Sequence, residues 1–337
     1  MSSSTDHRWG MVEEVTFNTP LTVTRFYPWL EVEPDWDNRL RYAQGLASGG
    51  GRRSVLGNRV VVPQGQGMIK VKCELESKQG GVLLRAALGM STVTAITGGS
   101  QQVFHNKLTT GYMPSYTIQV VDVTNPGSDY VLTYSGCSAM KATIEQGEDE
   151  IPTIEVEFDA VSLSTATAAA SASYATSSYI FDASQAASVG LGGSFTAPTT
   201  TALATGPTAF PDLRSFKVDI DQQLQVDGRV LGATRSRPVA GIPEIQWSAT
   251  AEFNGTTMQA AYIAGTALPF QATLTTAETL GAGFTQFQVA IPQLRLTKGM
   301  PKITPGEVVT SDLEGKVFSD GTNNDIYVVY RTTDTVL

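Results

Sequence analysis

Histidine is the commonest general base and metal ligand in proteins, and this sequence contains two, His7 and His105. His7 lies near the N-terminus. His105 sits in Val103-Phe-His-Asn-Lys and reads as a turn or interface residue. No Ser–His–Asp or Cys–His set can be built without one of them. Cys73 and Cys137 stand in apolar, strand-like contexts with no CxxC spacing, so they read as small buried hydrophobes, with a disulfide between them as the alternative. No phosphate-binding loop is present, and Gly49-Gly-Gly-Arg-Arg opens no helix. The run Glu145-Gln-Gly-Glu-Asp-Glu150 lacks the alternating acids of a calcium loop and reads as a solvated turn. Neither an enzyme nor a bound cofactor or metal is expected.

The residue pattern that stands out is acidic and has period two. Glu31, Glu33 and Asp35 alternate in one segment, and Asp219 and Asp221 in another. Glu155 and Glu157, then Asp312 and Glu314, repeat the pattern. In a strand, alternate residues share a face. These acids therefore read either as an ordinary solvated sheet face opposite a core or as the wall of a wet acidic channel.

Such a pattern needs strands to position it, and strands dominate the sequence. Segments rich in Val, Ile, Thr and aromatics recur at Met68–Glu76, Tyr116–Val123, Tyr130–Tyr134, Ile154–Phe158, Phe216–Val226, Ile245–Phe253, Phe287–Ile291 and Ile326–Tyr330. Two stretches have helical spacing and end in glycine, Gly80–Gly89 and Thr256–Gly265. Each follows a strand through a short turn, which points to an internal repeat. Thr143–Asp159 matches Met300–Lys316 in turn, apolar run and acidic alternation. Leu30-Glu-Val-Glu-Pro-Asp corresponds to Phe216-Lys-Val-Asp-Ile-Asp, and an extra loop at about Thr92–Met113 occurs only in the first copy. The chain divides into 1–163 with an N-terminal arm, a Ser/Thr/Ala-rich linker or arm at 164–208, and 209–337 with a C-terminal arm. Tyr174, Tyr179, Phe181, Val189, Leu191 and Phe195 are too apolar for a pure spacer and predict edge strands or an arm lying on a neighbouring subunit.

Composition narrows the partners. Charged residues are only 16%, against about 25% in an average soluble protein, so much of the surface suits burial against other chains. The net charge is −9, from 23 basic and 32 acidic residues, and no basic cluster exceeds Arg52–Arg53. A footprint for tight nucleic-acid binding is missing. The start, Met1 to Asp6, has no basic and apolar signal pattern, and no apolar run approaches the roughly 18 residues of a membrane helix. The expectation is a chain made in the cytoplasm, without a membrane partner, and soluble until it assembles.

Several segments together resemble the tail-tube proteins of siphophages and related long-tailed phages. They are Thr22-Val-Thr-Arg-Phe-Tyr-Pro, the strand-to-helix stretch Met68–Gly89, and His105 through Ala160, with Pro114-Ser-Tyr-Thr-Ile-Gln and Tyr134-Ser-Gly-Cys-Ser-Ala-Met-Lys-Ala-Thr-Ile. The resemblance covers roughly the first half, and the second half joins through the repeat. Simple tube proteins have one such domain, whereas here there are two copies. The resemblance implies a mostly β fold of two tandem domains, each two packed antiparallel sheets with one short flanking helix. It also implies a structural virion protein whose rings stack into a tube in the virion tail, with other tail proteins at its ends. Double-stranded DNA would pass through without specific binding. Rings in this family are generally six domains around, so two-domain chains imply a ring of three, with a six-chain ring as the alternative. Glu31, Glu33, Asp35, Asp219 and Asp221, with Glu155, Glu157, Asp312 and Glu314, are then the candidate lumen residues.

Two other classes compete. A glycan-binding β-sandwich fits the Ser/Thr/Gly richness, but the four tryptophans, Trp9, Trp29, Trp36 and Trp247, are scattered. The second is another virion part, such as a decoration or tail-terminator protein. Polymerisation into hollow rods separates a tube protein from both.

Overall fold

The computed structural model describes residues 7–42, 60–61, 65–122, 129–148, 150–182, 186–228, 235–303, 305, 308–335 and 337. The start Met1–Asp6 and the glycine-arginine segment Gly49–Arg53 lie outside the described residues.

Antiparallel strands make up nearly all of the regular structure. The first half contains β1 (His7–Glu13), β2 (Arg25–Phe26), β3 (Glu31–Asp37), β4 (Arg41–Tyr42), β5 (Val60–Val61) and β6 (Gln66–Glu74). Helix α1 (Gly80–Leu88) follows, then β7 (Met90–Ile96), β8 (Gly99–His105), β9 (Tyr116–Asp122), β10 (Tyr130–Gln146), β11 (Thr153–Ala160) and β12 (Ser162–Ser164). A hairpin of β13 (Ala186–Thr196) and β14 (Thr205–Ala209) leads to β15 (Leu213–Asp221), β16 (Glu244–Glu252) and α2 (Thr257–Ala264). The chain ends with β17 (Ala267–Leu280), β18 (Gly283–Lys298), β19 (Pro301–Lys302), β20 (Thr310–Val317) and β21 (Tyr327–Thr332).

One sheet runs in the order β3-β6-β11-β10-β15-β16-β20-β18, with β19 extending the last edge. Its apolar face carries Ile69, Val71, Val156, Ile144, Val218 and Trp247, all buried. Against that face lie β2-β1-β9-β10-β12 and β14-β13-β17-β18-β21-β8-β7. Ring contacts cross between the layers: Tyr116 meets Phe158, and Phe270 meets both Phe216 and Trp247. The main buried cluster is continuous from Trp9 to Tyr330, so both halves share one core.

Strands β10 and β18 serve both layers, which requires a bend. In β10 the ladder shifts between Tyr134 and Cys137 and again between Ala139 and Lys141. Gly136 sits at the first shift with φ +66, a conformation that favours glycine. Bulges of this kind re-aim a strand without breaking it.

The two helices stand where the sequence predicts them and end at Gly89 and Gly265, both at positive φ. Several other expectations are corrected. The extra loop expected at Thr92–Met113 is largely strand, β7 and β8, and β8 pairs with β21. The N-terminal and C-terminal arms are strands of the chain's own sheets, with Trp9 and Tyr330 fully buried. Of the two alternatives for the apolar residues of 164–208, edge strands or an arm on a neighbouring subunit, the edge strands are found, with β14 at the sheet margin. Strand β13 pairs with β17, and Phe181 packs against Phe287 and Tyr330. In each case the apolar residues decide, because burying an aromatic ring outweighs leaving the segment free. Cys73 and Cys137 are buried, separate thiols, and burial pushes both up from the usual thiol range.

Candidate functional site

The alternation read from the sequence converges on one surface. Across the eight-strand sheet, one transverse row runs Glu31, Lys72, Glu155, Thr143, Asp219, Gln246, Lys316 and Arg295. A neighbouring row runs Glu33, Lys70, Glu157, Lys141, Asp221 and Glu244. Asp35 continues the face on β3, and Asp312 and Glu314 continue it on β20. All nine candidate acids therefore lie on one face, opposite the core. The strands put them there because hydrophobic residues at the intervening positions are drawn into the core.

That face is a mixed lattice rather than a purely acidic one. Lys70 reaches Glu155 at 3.3 Å and Glu31 at 3.8 Å. Lys217 meets Asp219 at 3.0 Å, and Thr143 donates its hydroxyl to the same carboxylate at 2.7 Å. Lys298 lies 2.9 Å from Glu314 and 3.8 Å from Asp312, and Lys316 lies 2.6 Å from Glu244. The hydrogen bond from Lys316 holds the Glu244 carboxyl below its usual range. Donating to Glu155 and Glu314 holds Lys70 and Lys298 above theirs. Glu33, Asp35, Glu157 and Asp221 make no ion pair within 4 Å among the described residues. Lys72, Lys141 and Arg295 on the same face likewise make none there, so unpaired charge of both signs remains, with acids in excess.

The lysines of this face carry the same sequence signal as the acids. Lys70 and Lys72 alternate in the same phase as Glu74, and Lys141 in the same phase as Thr143 and Glu145. The period-two signal was therefore available. The cross-strand partner of each was not, because register depends on which strands are neighbours.

A second polar feature was invisible in the sequence. Asp159, at the end of β11, forms an ion pair with Arg235, and both side chains are fully buried. Gln66 also donates to Asp159 at 2.6 Å and accepts from Arg39. Burial pulls the Arg235 guanidinium down to about 10, so it stays charged at neutral pH. Arg237, two residues on, donates to the Met113 carbonyl and lies over the rings of Phe17 and Tyr112. The segment between β15 and β16 is thus fastened to the first half of the chain.

The remaining candidates have ordinary surroundings. His7 opens β1 beside Asp122. His105 ends β8, and burial, with Lys107 nearby, holds its imidazole below the usual range. In the acidic turn, Gln146 donates to the carbonyls of Gly147 and Glu150, and Glu148 meets Arg214 at 3.3 Å. Asp149 lies outside the described residues. Among the described residues no group of three or more His, Cys, Asp or Glu could hold a metal ion. No helix there is long and apolar enough to cross a membrane. A cleft of about 360 Å³ is lined by Leu191, Phe253, Met258 and Leu268 beside α2.

No curated protein matches the chain. Residues 5–317, however, match the family described as phage tail tube protein.

Proposed function

The chain belongs to the phage tail tube protein family, which makes it a structural component of the virion tail, and from that premise we propose that it is the major tail-tube subunit. In this reading the chains close into rings, and the rings stack into the conduit through which double-stranded DNA leaves the capsid. The sheet face that carries Glu33, Asp35, Glu157 and Asp221 lines that conduit. Catalysis has no part in the role.

The observation that carries the reading is the seam between β10 and β15, where Lys141–Gln146 pair with Phe216–Asp221. Through it, four strands of the first half and four of the second become one sheet with one polar face. Each half then supplies a tube-type domain, and three chains supply the six domains of a ring. Closing such a sheet on itself removes its exposed edges.

A polar, mostly paired, net-acidic wall suits passage without adhesion. The ion pairs give the surface a fixed hydrogen-bonding pattern and engage Lys70, Lys217, Lys298 and Lys316, while Lys72 and Lys141 are outnumbered by the acids around them. Asp35, Glu157 and Asp221 repel the duplex over about 10 Å at 0.1 M salt, enough to act across a narrow channel.

Negative-stain electron microscopy of the purified protein over a range of concentrations tests the proposal. Hollow rods or rings with a mass of three chains per ring are expected. Six chains per ring would overturn the stoichiometry. A protein that stays monomeric at every concentration would favour the glycan-binding alternative.

A further inference from the structure

The same arrangement of strands occurs twice in the eight-strand sheet, and it can be compared residue by residue. Glu74 of β6 faces Thr153 of β11, and Glu252 of β16 faces Thr310 of β20. The ladder shifts between Ala139 and Lys141 in β10 and between Leu296 and Lys298 in β18. After the shift Lys141 faces Glu157, and Lys298 faces Glu314. Further on, Ile144 and Glu145 face Ile154 and Thr153, while Pro301 and Lys302 face Ser311 and Thr310. The stretch 298–303 therefore occupies the position of 141–146. By the same comparison β3 occupies the position of β15, with Asp37 at the site of Asp221 and Glu33 at that of Lys217. The equivalence is two residues away from the one expected from sequence, since Val32 rather than Leu30 corresponds to Phe216.

The two positions differ in one respect. Residues 141–146 are paired with β15, whereas β3 and 298–303 each have an outer side without a strand among the described residues. These open edges are at opposite ends of the sheet, about 30 Å apart at roughly 4.8 Å per strand, so one chain cannot join them. We infer that β3 of one chain pairs with residues 298–303 of a second copy, in the register of the β10–β15 seam. This rests on the ring-forming role proposed above.

The carried-over register sets Lys298 against Asp37, Met300 against Asp35, Lys302 against Glu33 and Ile303 against Val32. Within the chain the corresponding pairs are Lys141 with Asp221, Thr143 with Asp219, Glu145 with Lys217 and Gln146 with Phe216. The first charged rung keeps its signs, and the second reverses both signs and so stays complementary. A register wrong by one residue would not preserve this. Ile303 is 76% exposed, as expected of a residue awaiting a cover.

Two prolines, Pro34 and Pro301, face each other in this register. The bond from the Gln222 amide to the Met140 carbonyl, 2.8 Å, fixes the alternation of the intrachain seam, so Val218 and Ile144 form a hydrogen-bonded rung there. The corresponding rung between chains has no donors. It blunts both edges against indiscriminate pairing and leaves the seam more dependent on its charged rungs.

The helices differ in the same sense. Helix α1 has seven buried residues, beginning with Gly81 and ending with Leu88, whereas α2 has none. Part of the cover on α1 is the segment after β15, whose Gln222 side chain donates to the Ala87 carbonyl at 2.8 Å. That segment closes with the bridge Gln225–Val239, and the equivalent pair after β3 is Arg41–Val61 of β4 and β5. The Arg41–Val61 pair of the second copy is thus brought over α2, where Ile263 is 69% exposed.

Disulfide trapping tests the register in the full chain. Met300 and Asp35 would form a non-hydrogen-bonded rung, with Cα atoms about 4.5 Å apart, within the range a disulfide spans. The native cysteines are buried. Oxidised assemblies of the double variant Asp35→Cys, Met300→Cys should give a covalent three-chain species on a non-reducing gel, and the slipped pair Glu33→Cys, Met300→Cys should not. A link in the slipped pair alone would overturn the register. Rods visible by microscopy with neither link would overturn the edge pairing while leaving the tube reading intact, and the failure of wild-type protein to form rods would remove both. A charge swap gives a second readout. Glu33→Lys or Lys302→Glu alone should raise the critical concentration for assembly about fivefold, equivalent to about 1 kcal/mol per seam. The double reversal should restore it, and a double variant no better than the singles would refute the pairing.

Discussion

Removing one member of the buried Asp159–Arg235 pair should destabilise the chain far more than removing both. The two side chains are fully buried, one at the end of β11 and the other in the segment that fastens the second half of the chain to the first. With Asp159→Ala the guanidinium of Arg235 loses its counter-charge in a site closed to water. The Ala160 carbonyl, an acceptor at 3.5 Å, brings no counter-charge and does not compensate for the lost carboxylate. Breaking a buried pair in this way costs about 3–5 kcal/mol. For 337 residues the unfolding entropy is about 0.7 kcal/mol per kelvin, so the expected fall in Tm is about 4–7 °C. Arg235→Met leaves Asp159 with the Gln66 donor at 2.6 Å and the option of taking up a proton, so it should cost less, about 1–3 kcal/mol. The double variant Asp159→Leu, Arg235→Met replaces the pair by apolar groups of similar volume and should recover most of the loss. The assay is a double-mutant cycle from urea and thermal unfolding of the unassembled chain at pH 7. A cost below 1 kcal/mol for Asp159→Ala would refute the reasoning, as would a double variant as unstable as that single one.

Other outcomes follow from the same geometry. Reversing the unpaired acids Glu157 and Asp221 to lysine should leave tube diameter unchanged and slow DNA ejection from virions at least about tenfold. Added salt should relieve the delay, because lysine–phosphate contacts release counterions; ejection at the normal rate would reject the lumen assignment. His105 is held below its ordinary 6.5 by burial first and Lys107 second, so the unfolded chain takes up the proton more readily than the folded one. Its share of stability is present at neutral pH and falls as pH drops through 6.5 toward the folded value. His105→Gln should flatten the stability profile between pH 7 and 5, and parallel profiles would count against this. Gly136→Ala places a methyl carbon 3.0 Å from the Val161 Cβ at φ +66. It should cost at least about 1–2 kcal/mol, read as a fall in Tm of a few degrees, and an unchanged Tm would show that the bulge tolerates a side chain.

The periodic features of this protein are local and legible from residue order alone. Alternating acids share a face whatever their neighbours, so Glu31 to Asp35 and Asp219 to Asp221 could be assigned to one side before any strand pairing was known. The two helices were legible because spacing and a terminal glycine are local signals. Even the correspondence of Thr143–Asp159 with Met300–Lys316 falls in the register observed, since turn and alternation lie within one short stretch. The match of Leu30 to Phe216 missed by two residues, an error that preserves the face and so escapes a period-two reading.

Only the tertiary structure decided what depends on partners far along the chain. The lysines that neutralise Glu31, Glu155, Glu314 and Glu244 come from neighbouring strands, and register sets those meetings. Strands β10 and β18 read as short segments because a bulge looks like an interruption, yet each carries the chain from one layer into the other. The expected arms are seated within the chain because Trp9, Phe181 and Tyr330 have a shared core to enter. Burial is settled by the whole fold, whereas alternation is settled by the backbone of a single strand.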